Sequence, residues 1–539
     1  MPLEREEIRI LCQINSDVII AFIEQQEATI KQQGATIEQQ EATIEQQGAT
    51  IEQQGATIEQ QGATIEQQET TIKQREATIE QQEATITHLE VQITELEAQR
   101  KQTSRNSNKP PSSDGFKKVK NQRKKGERAP GGQKGHKGKT LEMVDNPDHV
   151  EVHTVNTCEK CRTSLKDVKP SKVHKRQVHD VPPLTIVVTE YQAEQKACPN
   201  CGHDNHGDFP PEVKYPLQYG VNLKALMVYL CIYQLLPYNR ACETFLDLFG
   251  RRISKATLVK AVAECSENLA GVEARIRELL VESQVIHVDE TGMRVSGIRH
   301  WLHVVSTKLF TWYGHHRKRG SEAMDAMQIL PRFKGTLVHD CWAPYFHYPS
   351  RHAICNAHIL RELTGISDNY GQKWSTMMHD LLDEIYKTVE EAKLHVTALN
   401  PQQILEFVER YRIIVHLGLE ENPAESPLSD CIPKRGRKKQ SKAKNLLDRC
   451  QKFEKEILSF MYDFTIPFSN NQAERDIRMV KLQQKISGTF RSDEGAHWFC
   501  RVRGYLSTVK KNDVPVLTSL VNAFKGNPFV PSCSNGQAE

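Results

Sequence analysis

No apolar run in this chain approaches the ~20 residues needed to span a bilayer, so a membrane protein is not expected. The opening residues, Met1-Pro2-Leu3-Glu4-Arg5-Glu6-Glu7, are acidic and lack the layout of a signal peptide, which leads us to expect a cytoplasmic protein. Net charge is scarce too: +3 over 539 residues is too little to define a partner. A disulfide framework is not expected despite fourteen cysteines. Four lie in two Cys-x-x-Cys pairs and the others are scattered through apolar segments, which suits a reducing compartment with metal-bound thiolates. The length exceeds what one compact core holds, so several modules are expected.

The small net charge conceals a basic block. Between Lys101 and Thr140 thirteen Lys and Arg face two acids, Asp114 and Glu127. Ser, Asn, Pro and Gly separate the cations without any period, so this stretch reads as a disordered linker. On nucleic acid it would serve as a phosphate-neutralising arm, with Lys117, Lys118, Lys120, Arg123, Lys124 and Lys125 as its cations. Each cation placed on a phosphate would steepen the salt dependence of binding by about one unit of log slope. The plain alternative is a solvated linker that happens to be basic.

From Ile23 an isoleucine recurs every seventh residue, through Ile30, Ile37, Ile44, Ile51, Ile58, Ile65, Ile72, Ile79 and Ile86 to Ile93. As helix, this strict heptad gives a left-handed coiled coil. Leu89 and Leu96 set the register, making isoleucine position a and leaving glutamine at most d positions. Gly34, Gly48, Gly55 and Gly62 each cost the helix roughly 1 kcal/mol. The expectation is an oligomerising helix, marginal in its middle and firmest near Leu89 to Leu96. A passive spacer, grown by repeat expansion, is the alternative.

Cys158-Glu159-Lys160-Cys161 and Cys198-Pro199-Asn200-Cys201 are spaced as two knuckles of a four-thiolate structural zinc site, with a hairpin expected between them from Val178 to Tyr191. Reduced surface thiols are the bland reading, and His203 and His206 are spare ligands. From Leu217 to Leu280 the pattern is helical. A helix ending at Gly250 and a second one capped by Ser254 suggest either a helix-turn-helix or a buttress for the next domain.

Three acids carry the chemistry. Asp289 ends the apolar run Val285–Val288, and Asp340 ends Leu337–His339. Glu474 sits in Pro467-Phe468-Ser469-Asn470-Asn471-Gln472-Ala473-Glu474-Arg475, which reads as a helix start capped by Asn470 or Asn471. Strand signals at Val285–Val288, Trp301–Ser306 and Leu309–Tyr313, a helix near Ser321–Leu330 and a strand at Leu337–His339 follow the order of a ribonuclease-H-like sheet. In that order two aspartates lie on adjacent strands and can share a divalent ion. The 133 residues between Asp340 and Glu474 are too many for a loop and read as a helical insertion. It contains a basic run from Lys434 to Lys439. On the helix after Asn471, Glu474 shares a face with Ile477 or Arg478 and with Lys481. Arg475, Arg478, Lys481 and Lys485 are expected to meet DNA. The implied reaction is two-metal phosphoryl transfer with Mg²⁺ or Mn²⁺. A binding protein without catalysis and a structure-specific nuclease are the alternatives.

The chain resembles bacterial transposases of the insertion sequence 66 family over nearly its whole length. The resemblance rests on Ser104–Asp114, Gly131-Gly132-Gln133-Lys134-Gly135-His136-Lys137-Gly138, both knuckles, Asp289-Glu290-Thr291, Trp301-Leu302-His303 and His339-Asp340. It continues in Cys355-Asn356-Ala357-His358-Ile359-Leu360-Arg361-Glu362-Leu363, in the Pro467–Arg475 stretch and in Lys485-Ile486-Ser487-Gly488-Thr489-Phe490-Arg491-Ser492. The expanded Ile/Gln tract departs from the family pattern. The resemblance implies an acidic-triad transposase with Asp289, Asp340 and Glu474 as catalytic magnesium ligands, and a zinc finger holding Zn²⁺ on Cys158, Cys161, Cys198 and Cys201. It also implies accessory proteins of the same element, terminal-repeat and target DNA as partners, and a nucleoid-associated place in a bacterium. Cys355 and His358 belong to a family stretch, where positioning of the site is preferred over a metal pair. The expected architecture is multidomain α+β. A coiled coil spans 16–100, a basic linker 101–147, a zinc finger 148–210 and a helical, helix-turn-helix-like region 211–280. A ribonuclease-H-like α/β catalytic core spans 281–484 with a helical insertion at about 368–465, and a C-terminal domain spans 485–530.

Overall fold

A computed structural model describes residues 4–14, 16–107, 109, 114, 141–423 and 440–532. The arm cations Lys117, Lys118, Lys120, Arg123, Lys124 and Lys125, the glycine-rich stretch from Gly131 to Gly138 and the basic run from Lys434 to Lys439 lie outside the described residues. The chain divides into two units, Met1–Arg100 and Lys101–Glu539.

The first unit is helical: α1 spans Arg5–Ile14 and α2 spans Ser16–Arg100, the latter 85 residues and so about 130 Å long at 1.5 Å per residue. It runs unbroken through Gly34, Gly48, Gly55 and Gly62, so the weak middle expected from these residues leaves no kink. Threonines of the repeat turn their hydroxyls back onto the helix, Thr29 donating to the Gln25 carbonyl at 2.8 Å and Thr57 to that of Gln53 at 2.9 Å. The isoleucines form an uncovered stripe, each between 51% and 68% exposed, as a long helix consistent with a coiled coil presents when taken alone.

The second unit begins with the cysteine knuckles. The hairpin expected from Val178 to Tyr191 is not formed; the one there is smaller and later, β1 (Gln195–Ala197) against β2 (Asp204–His206) around the second knuckle. Val178 is 90% exposed and Val187 84%, so the alternating apolar residues find nothing to bury against, and a lone two-stranded ribbon is marginal without such a face.

Four helices follow: α3 (Val221–Val228, continued by a π turn over Tyr229–Tyr233), α4 (Tyr238–Phe249), α5 (Lys255–Asn268) and α6 (Ala270–Glu282). Gly250 closes α4 at φ 65°, and the Ser254 hydroxyl accepts the Thr257 N–H at 3.1 Å to start α5. A five-stranded sheet comes next, with β3 at Val285–Val295, β4 at Ile298–Ser306, β5 at Thr311–His316, β6 at Thr336–His339 and β7 at Arg351–Ile354. Its order is β5-β4-β3-β6-β7, the first three antiparallel and β6 and β7 parallel to β3. The crossover from β5 to β6 carries α7 (Ser321–Met327).

After β7 come α8 (Asn356–Tyr370), α9 (Lys373–Ala392), α10 (Pro401–Glu421), α11 (Lys442–Lys452), α12 (Glu454–Ile457) and α13 (Ser459–Tyr462). They bury Trp374, Met378, Tyr411 and Leu446 in a second core, shared with Val338 of β6 and Ala353 and Ile354 of β7. The chain then returns to the sheet with α14 (Asn471–Ser487), α15 (Asp493–Lys511) and α16 (Val516–Phe524). α15 lies on β5 so closely that a Cβ at Gly504 would stand 3.2 Å from the Thr311 carbonyl oxygen. α5 buries Leu258, Val262 and Cys265 against α3, α15 and α16, which leaves Lys255, Ala256 and Lys260 on its outer side.

Candidate active site

Asp289 and Asp340 meet because two strands run side by side. The parallel register pairs Val285 with Thr336 and His287 with Val338; carried two residues further, it sets Asp289 beside Asp340, the residue that follows β6. The strand end expected at Asp289 is not one. β3 continues to Val295, paired with β4 and bridged at its end to Phe490, because Ser296 and Gly297 (φ 50° and 78°) make a tight two-residue hairpin that prolongs the β3–β4 ladder. What ends near Asp289 is the neighbour on its other side, and that opens the space into which Asp340 turns.

The turn after β6 is tightly specified. Asp340 Oδ1 accepts the Trp342 N–H at 3.0 Å, and Cys341 adopts φ 72°, a costly conformation for a residue with a side chain. The buried His339 supports it, its Nδ1 accepting the Cys341 N–H at 3.1 Å and its Nε2 donating to His352 Nδ1 at 3.1 Å. Burial lowers the His339 pKa to about 3, so the ring is neutral, as this pattern requires.

Glu474 arrives on the first turn of α14. Asn470 occupies the N-cap position, but its side chain does not cap; that expectation is corrected, and Asn471 is the first helical residue. The Asn470 amide instead crosses to β3, where Nδ2 donates to the Val288 carbonyl at 2.7 Å and Oδ1 accepts from His287 Nδ1 at 2.9 Å. Its backbone N–H points to Cys355 Sγ at 3.1 Å. A helix bearing one acid is thereby fastened to the residue before another.

The charges register the crowding. Burial first, then the charges of Glu290, Asp340 and Glu474, hold the Asp289 carboxyl well above its ordinary range, with only the Glu290 N–H acting against them. Glu474 Oε1 is buried and has no hydrogen-bond partner among the described residues. His358 Nε2 stands 3.8 Å from Oε1, its protonation disfavoured by burial, and the Arg361 guanidinium stands 3.8 Å from Oε2. The ligand atoms of Cys355, His358 and Glu474 all lie within 4.8 Å of one another. Burial pushes the Cys355 thiol up to about 11, so it sits there as a neutral acceptor for Asn470 and not as a thiolate.

Three residues next to the acids are missed by sequence reasoning. Glu290 is buried, its side chain 2% exposed, and takes hydrogen bonds from Arg319 Nε at 3.0 Å and from the Tyr345 hydroxyl. The Arg319 guanidinium stands 4.8 Å from the Trp301 ring centre and 4.1 Å from that of Trp342. Glu290 could have been noticed beside Asp289; Arg319 and Tyr345 carry no signal in their own neighbourhoods. On α14, Arg475, Arg478, Lys481 and Lys485 are all exposed, while Ile477 turns into the core, so Arg478 and not Ile477 shares the outer face with Lys481.

The knuckles are two copies of one turn. Cys158 donates its N–H to Thr163 O and accepts that of Arg162, both at 2.9 Å; Cys198 does the same with His203 and Gly202, both at 2.8 Å. Arg162 and Gly202 have matching positive φ, 61° and 73°. The Thr163 hydroxyl, 3.2 Å from Cys161 Sγ, lowers that thiol to about 7, toward the thiolate a metal needs. No three of the four sulfurs lie within 4.8 Å of one another, so the structure forms each pair but does not gather the four.

Residues 216–498 match the model described as the Transposase IS66 family, a stretch containing the sheet, all three acids and the helices between them. The chain belongs to the IS66 transposase family. In this IS66 transposase, residues 156–202, with all four cysteines, match the zinc-finger binding domain of transposase IS66, which makes Zn²⁺ the metal supported for the two pairs. Residues 23–142 match a family of unknown function. No curated protein matches the chain. As an IS66 transposase with a zinc-finger domain it acts on DNA, and no described helix is long and apolar enough to cross a membrane.

Proposed function

We propose that this transposase is an acidic-triad enzyme that binds the ends of its element and catalyses metal-dependent DNA strand cleavage and strand transfer, with Asp289, Asp340 and Glu474 as its catalytic acids. The observation that carries the reading is their convergence at one end of the sheet, where Asp289 feels the charge of both others and Glu474 Oε1 lies buried without a partner. Converging carboxylates of this kind are costly unless a cation joins them, and all-oxygen donors suit Mg²⁺ or Mn²⁺. When bound, the divalent ions would supply activation of water or a 3′-hydroxyl and stabilisation of the leaving oxygen. The protein's own part is to hold the acids. Asn470 fixes α14 to β3, the His339–Cys341 turn fixes Asp340, and the Glu290–Arg319–Tyr345 cluster backs the site. The strand order, three antiparallel and then two parallel, supports a ribonuclease-H-like catalytic core over 281–484, in which the helices from α9 to α13 form an insertion.

The exposed cations Arg475, Arg478, Lys481 and Lys485 follow the helical face of Glu474 and suit the DNA backbone, with the 101–147 linker as a further arm. Cys158, Cys161, Cys198 and Cys201 would hold one Zn²⁺ once the two knuckles close on it. The isoleucine stripe supports a homo-oligomer, which bringing two DNA ends together requires. Accessory proteins of the element and a cytoplasmic, nucleoid-associated location belong to the same reading.

The test is cleavage and joining of labelled element-end DNA with Mg²⁺ or Mn²⁺, wild type against Asp289→Asn and Glu474→Gln. Joining that both substitutions abolish is expected. Binding without cleavage, also with accessory proteins added, would indicate a non-catalytic DNA-binding regulator. Cleavage without joining would indicate a nuclease.

A further inference from the structure

A second set of donors lies near the β3–β4 turn, apart from the acids. The β4–β5 register pairs Leu302 with His315, which places His300 and His315 diagonally on one face with ring centres 5.8 Å apart. Asp493, the first residue of α15, brings Oδ1 to 3.9 Å from Nδ1 of both rings. The two imidazoles are buried, their side chains only 5% and 7% exposed, whereas that of Asp493 is 68% exposed. Neither Nδ1 has a hydrogen-bond partner among the described residues.

Two buried, unpartnered nitrogens aimed at one carboxylate call for an explanation. A hydrogen bond is excluded at 3.9 Å. A cation held between the three donors would satisfy all of them at once. Bonds of about 2.0–2.1 Å in a tetrahedron set donor separations of about 3.3–3.4 Å. The two nitrogen–oxygen separations are about half an ångström longer than that, a gap that rotation of the exposed Asp493 side chain can close, and all three atoms lie within 4.8 Å of one another. One turn along α15, the exposed His497 lines a cleft of about 450 Å³ together with His315, Asp493, Trp312 and Trp498.

We propose that His300, His315 and Asp493 form a binding site for a divalent transition metal of the zinc class, with His497 as the available fourth donor. Two imidazoles and one carboxylate suit Zn²⁺ and do not suit Mg²⁺, so this site is chemically distinct from the three acids. It also stands apart from the thiolate knuckles. A metal here would pin the start of α15, the helix that lies on β5, to β4 and β5.

The test is the zinc content of the full-length chain after dialysis in excess Mg²⁺, followed by titration with Zn²⁺ alone. His300→Ala/His315→Ala is expected to lose one equivalent that Cys158→Ser/Cys198→Ser retains. Asp493→Asn, at an exposed position, is expected to weaken that equivalent roughly tenfold or more. If the double histidine variant does not fold, the Asp493→Asn titration decides alone. Unchanged zinc content in the histidine variant, or unchanged affinity in Asp493→Asn, overturns the proposal.

Discussion

Replacing Asn470 by alanine tests whether the position of Glu474 is set from β3. The side chain is buried, at 2% exposure, and satisfies two other buried groups, the Val288 carbonyl and the His287 Nδ1–H. Each of the two groups left without a partner costs about 1–3 kcal/mol, so Asn470→Ala is expected to cost about 2–6 kcal/mol. Urea unfolding followed by tryptophan emission reads this cleanly, because all five tryptophans (Trp301, Trp312, Trp342, Trp374 and Trp498) lie in the second unit. Strand cleavage should fail under conditions where the variant is still folded, since Glu474 is one turn away. Asn470→Asp sharpens the test. Aspartate caps a helix as well as asparagine does, but here it would turn an oxygen toward the Val288 carbonyl. If Asn470→Ala falls within about 0.5 kcal/mol of wild type, or if Asn470→Asp restores stability, the bridge to β3 is not what holds α14.

Asp289→Asn is expected to raise the urea midpoint in the absence of divalent ions while abolishing cleavage, because it removes a carboxyl that its neighbours hold in an unfavourable state; a fall in the midpoint would contradict this. His287 and His303, lowered to about 4, and His339, lowered to about 3, are kept neutral by burial, whereas the unfolded chain takes up these protons near pH 6.5. Their contribution is therefore complete above about pH 6.5 and is lost as the pH falls toward 4, each ring giving up about 1.4 kcal/mol for every pH unit of that descent; a urea midpoint flat from pH 7 to 4.5 would refute it. Deleting Ile23 to Ile86 should lower the oligomeric state found by light scattering, and an unchanged number of protomers per particle would make the tract a spacer. Cys158→Ser with Cys198→Ser should release zinc and weaken binding to element ends, and full zinc retention would remove the thiolates as its ligands.

Much of this molecule is legible wherever a period or a local context repeats. The isoleucine heptad specifies α2, and the apolar runs ending at Asp289 and Asp340 locate β3 and β6. Helix signals between Trp374 and Tyr462 anticipate the helices that follow β7. What fails is whatever depends on a partner distant in the chain. The Val178–Tyr191 segment has the alternation of a hairpin but no surface to cover its face. Asn470 has the local chemistry of a cap, yet the two groups it serves are 183 and 182 residues away. Glu290 looks like a solvated neighbour of Asp289 until Arg319 and Tyr345 enclose it.

The staple between Asn470 and β3 also sets a schedule for synthesis. His287 and Val288 leave the ribosome long before Asn470, and α15, which lies on β5, comes later still. Throughout that interval the nascent chain already carries its long helix, its basic arm and its cysteine knuckles, while the acid cluster lacks its third member. A prematurely terminated chain would inherit the same imbalance. It would keep the segments proposed to bind DNA or another copy and lack the residue that completes the cluster, so on that proposal it would act as a competitor of the full-length protein.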